Sequence, residues 1–175
     1  MSETSERNKA IVRKFVEEGQ NAHSHERAEE LSVEDLVLHH PAMREPARGH
    51  ETLRMMGDEL WVAFPDFRFE IQDMVAEGDH VAVRFIAHAT NEGPLGPGKN
   101  VSGNRMAQPG MTVYRLADGK IAEGRIQEDI YGMLEQLKLI PGTPKTLYWL
   151  KRLGIVRVLQ KLGKIPREGE ETTLK

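Results

Sequence analysis

The hydrophobic period changes once along this chain, and that change limits the folds available to it. Up to Pro65-Asp66 the apolar residues recur at helical spacing, whereas from Phe67 onward they alternate with polar residues. Helical stripes followed by an alternating run predict helices packed on one antiparallel sheet, which is an α+β fold. With 175 residues, 39% of them apolar, the chain has enough material for one such domain.

Three helical stretches are predicted before the sheet, over residues 8–18, 26–31 and 50–64, together with a short extended segment over 36–40. In the alternating region, turn residues at 77–79 and 117–119 separate the strands into two hairpins. The strands are predicted over 67–71, 81–85, 111–116 and 120–129. The stretch 91–104, rich in Gly, Pro and Asn, predicts a loop between the hairpins.

Composition narrows the functional classes. The net charge of −3 gives no reason to expect a nucleic-acid partner, and the absence of Cys excludes disulfides, thiolate metal sites and a cysteine nucleophile. The polar N-terminal segment does not have the pattern of a secretory signal, and no window reaches the roughly 18 apolar residues that cross a bilayer. The sequence therefore predicts a soluble, cytoplasmic protein.

A step in charge follows Pro141-Gly142. From residue 142 onward there are eight basic and three acidic residues, although the whole chain is acidic. This step predicts a domain over 1–141 and a basic extension over 142–175. Apolar and basic residues alternate at helical spacing over 146–165. We expect this amphipathic helix to pack on the domain or across a dimer, in preference to a membrane surface.

Several short blocks occur in an order that is informative. They are Asp35–Pro41 with the pattern D-x-x-x-H-x-P, Ala63–Asp66, Gly110–Arg115, Asp118–Ile121, and Asp129 followed by Gly132–Leu137. Over about residues 8–141 this order resembles the SnoaL-like polyketide and ester cyclases of the nuclear transport factor 2-like superfamily. The resemblance implies a cone-shaped, curved antiparallel sheet wrapped by N-terminal helices. It also implies an apolar central pocket for a small-molecule substrate, a homodimer, and no cofactor.

Asp129 and His39 are the catalytic candidates that the resemblance implies. The matching aspartate of the cyclases moves a proton beside a carbonyl during an intramolecular aldol closure, and the matching histidine shares that proton or orients substrate. A carboxylate deep in an apolar cone would be a stronger base than one in water. The competing interpretation is that Asp129 caps the following turn or pairs with Arg125, and that His39 is structural.

The sequence departs from the family pattern at two positions. Thr90 stands where many relatives carry an inward histidine, with His88 two residues earlier on the same strand face, and Arg125 replaces a common tryptophan. An inward Arg125 could bind a substrate carboxylate or enolate, or lower the pKa of Asp129. The predicted substrate-binding residues are Arg125, His88, Gln127, Trp61 and Thr90.

A metal site at His39, His40 and His88 is not favoured, because no carboxylate spacing supports it and the relatives work without metal. No phosphate loop, dinucleotide fingerprint or serine nucleophile elbow occurs in the sequence.

Three functions remain open from the sequence. The leading hypothesis is a cofactor-free cyclase or isomerase that acts by acid/base catalysis on a polyketide-like or other carbonyl compound. A second is epoxide-hydrolase-like addition of water, which needs an arginine between two carboxylates. The third is a non-catalytic ligand-binding or assembly module.

Overall fold

A computed structural model describes residues 3–95 and 101–140 of the chain. The chain divides into two compact units, Met1–Leu139 and Ile140–Lys175. The helices and strands given below all belong to the first unit. The predicted basic extension, with its helix over 146–165, lies outside the described residues.

The helices lie mostly in the first half of the chain. They are α1 (Glu3–Lys14), a π-helical turn (Phe15–Gln20) that continues it, α2 (His25–Glu30), α3 (Gly49–Ala63) and α4 (Ile130–Gln136). Val12, Phe15 and Val16 are buried, as their helical spacing predicts. The side chain of Ser24 caps α2 by accepting a hydrogen bond from the Arg27 backbone N–H.

Six strands form one curved, unclosed sheet. They are β1 (Ser32–His39), β2 (Ala47–Arg48), β3 (Arg68–Glu77), β4 (His80–Thr90), β5 (Arg105–Ala117) and β6 (Lys120–Glu128). Their order is β2-β1-β6-β5-β4-β3, with β1 parallel to β6 and every other pair antiparallel. The parallel pair places the D-x-x-x-H-x-P block beside the last strand.

The β5–β6 hairpin turns at Asp118-Gly119, where both residues have positive φ, 49° and 76°. This is the backbone that a two-residue type I′ turn requires, and Asp-Gly is a favoured pair for it. On β5, Gly110 lies against the ring of Phe85, and a Cβ at that position would come within 2.5 Å of the ring. A larger residue would therefore be strained at Gly119 by the positive φ, and at Gly110 by contact with the Phe85 ring.

One face of the sheet packs on the helices. On β4 and β5 it carries the buried side chains of Val81, Val83, Phe85 and Tyr114, and the Tyr114 ring meets Phe15 edge-on at 5.9 Å. A second apolar cluster forms where Phe64 and Phe67 meet the far end of the sheet. The other face of the sheet carries the residues that alternate with these.

The predicted α+β class, with helices before an antiparallel meander, is confirmed. Four strands are longer than predicted, because β3 continues to Glu77, β4 covers His80–Thr90, and β1 and β5 both begin earlier. The strand predicted over 36–40 begins at Ser32, and β5 begins at Arg105 because its backbone pairs with β4 as far as Thr90. No helix within the described residues is both long and apolar enough to cross a bilayer.

Candidate functional site

A cleft lies where β1 ends beside β6. The last β1 residue, His39, is in register with Arg125, and β6 continues to Glu128 without a β1 partner. The cleft has a volume of about 420 Å³. This is within the range of about 300–1,000 Å³ that is usual for small-molecule sites. Its lining residues are His39, His40, Pro41, Met111, Val113, Arg125, Ile126 and Gln127.

Glu123 joins the polar groups at this cleft. Its Oε1 lies 3.0 Å from Nε2 of His39 and 2.7 Å from an Nη of Arg125, and its Oε2 accepts from Nε of Arg115 at 3.3 Å. The Glu123 side chain is only 19% exposed, whereas that of Arg125 is 63% exposed. The carboxylate of Glu123 thus contacts one imidazole, that of His39, and two guanidinium groups, those of Arg115 and Arg125.

The environment of Glu123 keeps it ionised. Its burial alone would raise the pKa of the carboxyl group, but the hydrogen bond from Arg115, the charge of Arg125 and the hydrogen bond from His39 outweigh burial. Together they lower the pKa of Glu123 below its usual value. An ionised carboxylate can only accept hydrogen bonds.

The tautomer of His39 follows from this contact. Because Glu123 must accept, Nε2 of His39 carries the hydrogen and donates it, and the lone pair is left on Nδ1. The Nδ1 atom makes no hydrogen bond to any residue within 3–95 or 101–140. A histidine oriented by a carboxylate, with its second nitrogen open to a cleft, is arranged as a general base.

His40 is arranged differently. Its Nε2 lies 2.8 Å from Oε1 of Glu128, and its Nδ1 accepts a hydrogen bond from the Ala42 backbone N–H at 3.2 Å. Both ring nitrogens are therefore engaged, and the pair holds the chain in place as it turns away from β1. Sequence reasoning considered His40 only as a metal ligand and did not select Glu128, because only the parallel pairing of β1 with β6 brings the two together.

Asp129 does not lie in a dry interior. Its side chain is exposed and caps α4, with Oδ1 accepting from the Gly132 backbone N–H at 2.8 Å. The strand ends at Glu128, so Asp129 takes the N-cap position of the next helix. The premise that burial makes this carboxylate a stronger base is therefore wrong for this structure.

Arg125 and Gln127 lie on the sheet face opposite the helices, and the expectation that they point into the cone is wrong. Arg125 is in register with Val113, which alternates with the inward Tyr114, and partners in a ladder share a face. The inward position between Glu123 and Arg125 is Gly124. A Cβ there would approach Leu38 to 2.8 Å and Tyr114 to 3.4 Å. Because a glycine gives no apolar signal, the sequence did not mark position 124 as inward.

The remaining predicted binding residues lie away from the cleft. His88 and Thr90 share the outer face of β4. His88 contacts Glu70 at 3.0 Å, and Thr90 donates to Asp66 at 2.6 Å. Trp61, on α3, packs between two imidazoles, with ring centroids 4.8 Å from His23 and 4.6 Å from His25. The structure does not bring these three residues together with His39.

A small void lies between the helices and the sheet. It has a volume of about 10 Å³ and is lined by aromatic and aliphatic side chains together with Gln20. Such a space holds about one water molecule. Phe69 and Phe85 belong to its wall, and Phe69 makes edge-on contacts with Phe67 and Phe85 at 4.8 and 4.6 Å.

The three histidines considered as metal ligands each pair with a different carboxylate. His39 contacts Glu123, His40 contacts Glu128 and His88 contacts Glu70. Over residues 3–95 and 101–140, no group of three or more His, Asp or Glu side chains is arranged to hold a metal ion.

The family-model match and the structural matches point to the same protein family. Residues 10–137 match the family model for SnoaL-like polyketide cyclases. A search among proteins of curated function finds no match to this sequence.

Solved structures share the fold. A proposed SnoaL-like polyketide cyclase from Jannaschia sp. CCS1 is 22% identical with a TM-score of 0.72, over 81% of this chain and 98% of that one. IdmH, a proposed polyketide cyclase from Streptomyces antibioticus, is 26% identical with a TM-score of 0.65, over 75% and 98%. AclR, a proposed hydroxylase from Streptomyces galilaeus, is 22% identical with a TM-score of 0.67, over 81% and 91%.

Proposed function

Because the chain belongs to the SnoaL-like polyketide cyclase family, we propose that it is a cofactor-free cyclase or isomerase acting at the cleft beside the end of β1. The family and the structural relatives support a cyclase-type function. The substrate class is a polyketide-like or other carbonyl-containing small molecule. The reaction is an intramolecular aldol-type closure or the corresponding shift of a proton.

One observation carries the proposal: His39 lines the cleft, its Nε2 is held by an ionised Glu123, and its Nδ1 has no hydrogen-bond partner among the described residues. The imidazole is thereby fixed in one tautomer and one orientation before substrate arrives. When His39 gains a proton, the adjacent carboxylate stabilises the imidazolium. This division of roles between base and orienting carboxylate is the same one that makes a histidine effective in nucleophile-activating sites.

The proton balance of the reaction is simple. His39 takes a proton from a carbon beside a carbonyl, and the enolate oxygen lies against the guanidinium of Arg125. The enolate carbon then forms a bond to a second carbonyl carbon of the same molecule. The alkoxide produced there takes the proton back from His39, so the enzyme returns to its starting state.

Gln127 and His40 have supporting roles in this proposal. The exposed amide of Gln127 can donate to a substrate carbonyl at the cleft wall. His40 is a positioning residue, because both of its nitrogens already hold Glu128 and the Ala42 backbone.

The first prediction concerns His39→Gln. We expect this variant to lose proton abstraction by roughly 10²–10⁴-fold, the usual scale for a positioned proton-transfer group. The assay follows deuterium uptake at carbons flanked by two carbonyls in simple poly-β-ketones, by proton NMR in D2O, and cyclised product by mass. His25→Gln is the matched control, because His25 pairs with Asp58 on the helical side, away from the cleft.

Asp129→Asn in the same assay tests the role that the family resemblance implies. Asparagine preserves the helix cap, so we expect activity within a few-fold of the wild-type chain. Wild-type activity in His39→Gln together with a large loss in Asp129→Asn would move the base from His39 to Asp129 and overturn this proposal.

A non-catalytic ligand-binding role is the second candidate, and it is favoured by Asp129, the base that the resemblance implies, which is exposed and caps α4. Ligand binding unaffected by His39→Gln, with no deuterium uptake in any test compound, would support that role. Water addition to an epoxide needs an arginine between two carboxylates. Among the described residues, Arg125 forms an ion pair with Glu123 alone, so the cyclase proposal is preferred.

A further inference from the structure

One buried oxygen on the helical side of the sheet has no hydrogen-bond donor. The Oε1 atom of Gln20 is shielded from solvent, and no residue within 3–95 or 101–140 donates to it. Buried polar atoms in folded proteins are nearly always paired with protein or with an ordered water, because an unpaired one costs its full desolvation energy. A donor other than the described protein atoms is therefore needed at this oxygen.

The fold holds Gln20 in this position. Gln20 ends the π-helical turn, and the next residue, Asn21, joins that turn to the edge strand β3. The Phe69 backbone N–H donates to Oδ1 of Asn21 at 2.7 Å, and Nδ2 of Asn21 donates to the Phe69 carbonyl at 2.9 Å. Because both bonds are made to one residue of β3, the backbone beside Gln20 is fixed against the sheet.

The side chain of Gln20 forms part of the wall of the void between the helices and the sheet. Its volume of about 10 Å³ matches a single water molecule. Gln20 and Tyr114 are the polar residues of the wall, and Thr112 donates to the phenol oxygen of Tyr114. The phenol can donate its own hydrogen at the same time. These two residues thus supply one acceptor and one donor, the minimum that a buried water requires.

We propose that the void is a binding site for one water molecule, which donates to Oε1 of Gln20 and accepts from the hydroxyl of Tyr114. The bound water links the π-helical turn to the middle of β5 and satisfies the oxygen that the fold buries. An organic ligand does not fit a space of this volume. The site is independent of the proposed function, because it lies on the helical face of the sheet and no step of the reaction uses it.

The test is water–protein NOE spectroscopy on the full chain with isotope-labelled methyl groups. In the wild-type chain we expect cross-peaks from the water resonance to the methyl groups that line the void, those of Val16, Ile71 and Val83. Leu137 is equally buried but belongs to the second apolar cluster, so its methyl groups should show no water cross-peak.

The matched variants are Gln20→Met and Gln108→Met. Methionine has a similar length but lacks the acceptor oxygen, so the cross-peaks should be lost in Gln20→Met. They should persist in Gln108→Met, because Gln108 is also a buried amide, with an unpaired Nε2, but does not line the void.

Three results would overturn the inference: no water cross-peaks in the wild-type chain, cross-peaks that persist in Gln20→Met, or their loss in Gln108→Met as well. The second result also covers an indirect route. The hydroxyl hydrogens of Tyr114 and Thr112 exchange with solvent and can relay a water signal to nearby methyl groups. Both hydroxyls remain in Gln20→Met, so a relayed signal would persist there.

Discussion

At the scale of single residues, the cleft depends on Glu123. Its carboxylate fixes the tautomer of His39 and holds Arg125 beside it, and its lowered pKa keeps it ionised well below neutral pH. Replacing it with glutamine would leave His39 without a charged acceptor. The carboxylate that orients His39 is therefore also the ion-pair partner of Arg115 and Arg125.

Tyr114 supports a prediction about stability at high pH. Burial raises the pKa of Tyr114 to about 12, with the hydrogen bond from Thr112 acting in the opposite direction. An unfolded chain ionises this phenol near pH 10, so the folded state holds the proton more firmly. The stabilisation is complete below about pH 10 and is lost as the pH rises toward 12. Over that interval the wild-type chain should lose up to about 3 kcal/mol of unfolding free energy from this group.

Tyr114→Phe should remove that part of the alkaline loss. The measurement is urea unfolding of wild type and variant between about pH 9 and pH 11, comparing the slopes of free energy against pH. Tyr131→Phe is the control, because Tyr131 is 47% exposed. Equal slopes for wild type and Tyr114→Phe would contradict the assignment.

At the scale of elements, the start of α4 separates a structural role from a catalytic one. Asp129 accepts from the Gly132 backbone N–H, so Asp129→Ala should destabilise the chain by about 1 kcal/mol, and Asp129→Asn by only a few tenths. Thermal or urea unfolding of the two variants measures the difference. An equal loss in both would show that the charge, and not the cap, stabilises the fold at this position.

Strand β6 illustrates what the sequence could and could not predict. Its position and its hairpin follow from Asp118-Gly119 and the flanking alternation. Its inward face does not, because a register irregularity between Arg115 and Leu116 interrupts the two-residue period, and the inward position 124 is a glycine. A shift of one residue exchanges every side chain between faces. Strict alternation from the buried Ile121 would therefore place Arg125 inside, where the resemblance to the family also placed it.

Strand β1 illustrates a second limit. The D-x-x-x-H-x-P block singles out His39, yet its partner Glu123 lies 84 positions away along the chain. Such partners come from the parallel pairing of the first and last strands. Neither hydrophobic period nor local turn chemistry contains that information.

At the scale of the whole molecule, the fold and the site have separate origins. The helices and hairpins are local, so their positions could be predicted from period and turn residues, and the order of short blocks pointed to the family. The location of open space depends instead on how side chains fill the cone. Here Phe69 and Phe85 leave only a void of about 10 Å³ beside them, while the end of β1 leaves a larger cleft on the other sheet face.

The most direct test of this account is a map of where a ligand binds. Chemical-shift changes are recorded in isotope-labelled full chain during titration with the poly-β-ketones of the deuterium-uptake assay. We expect the largest changes at His39, Val113 and Gln127 around the cleft, with small changes at Val16 and Ile71. Changes centred on Val16 and Ile71, with the cleft residues unmoved, would place the ligand inside the cone and contradict the account.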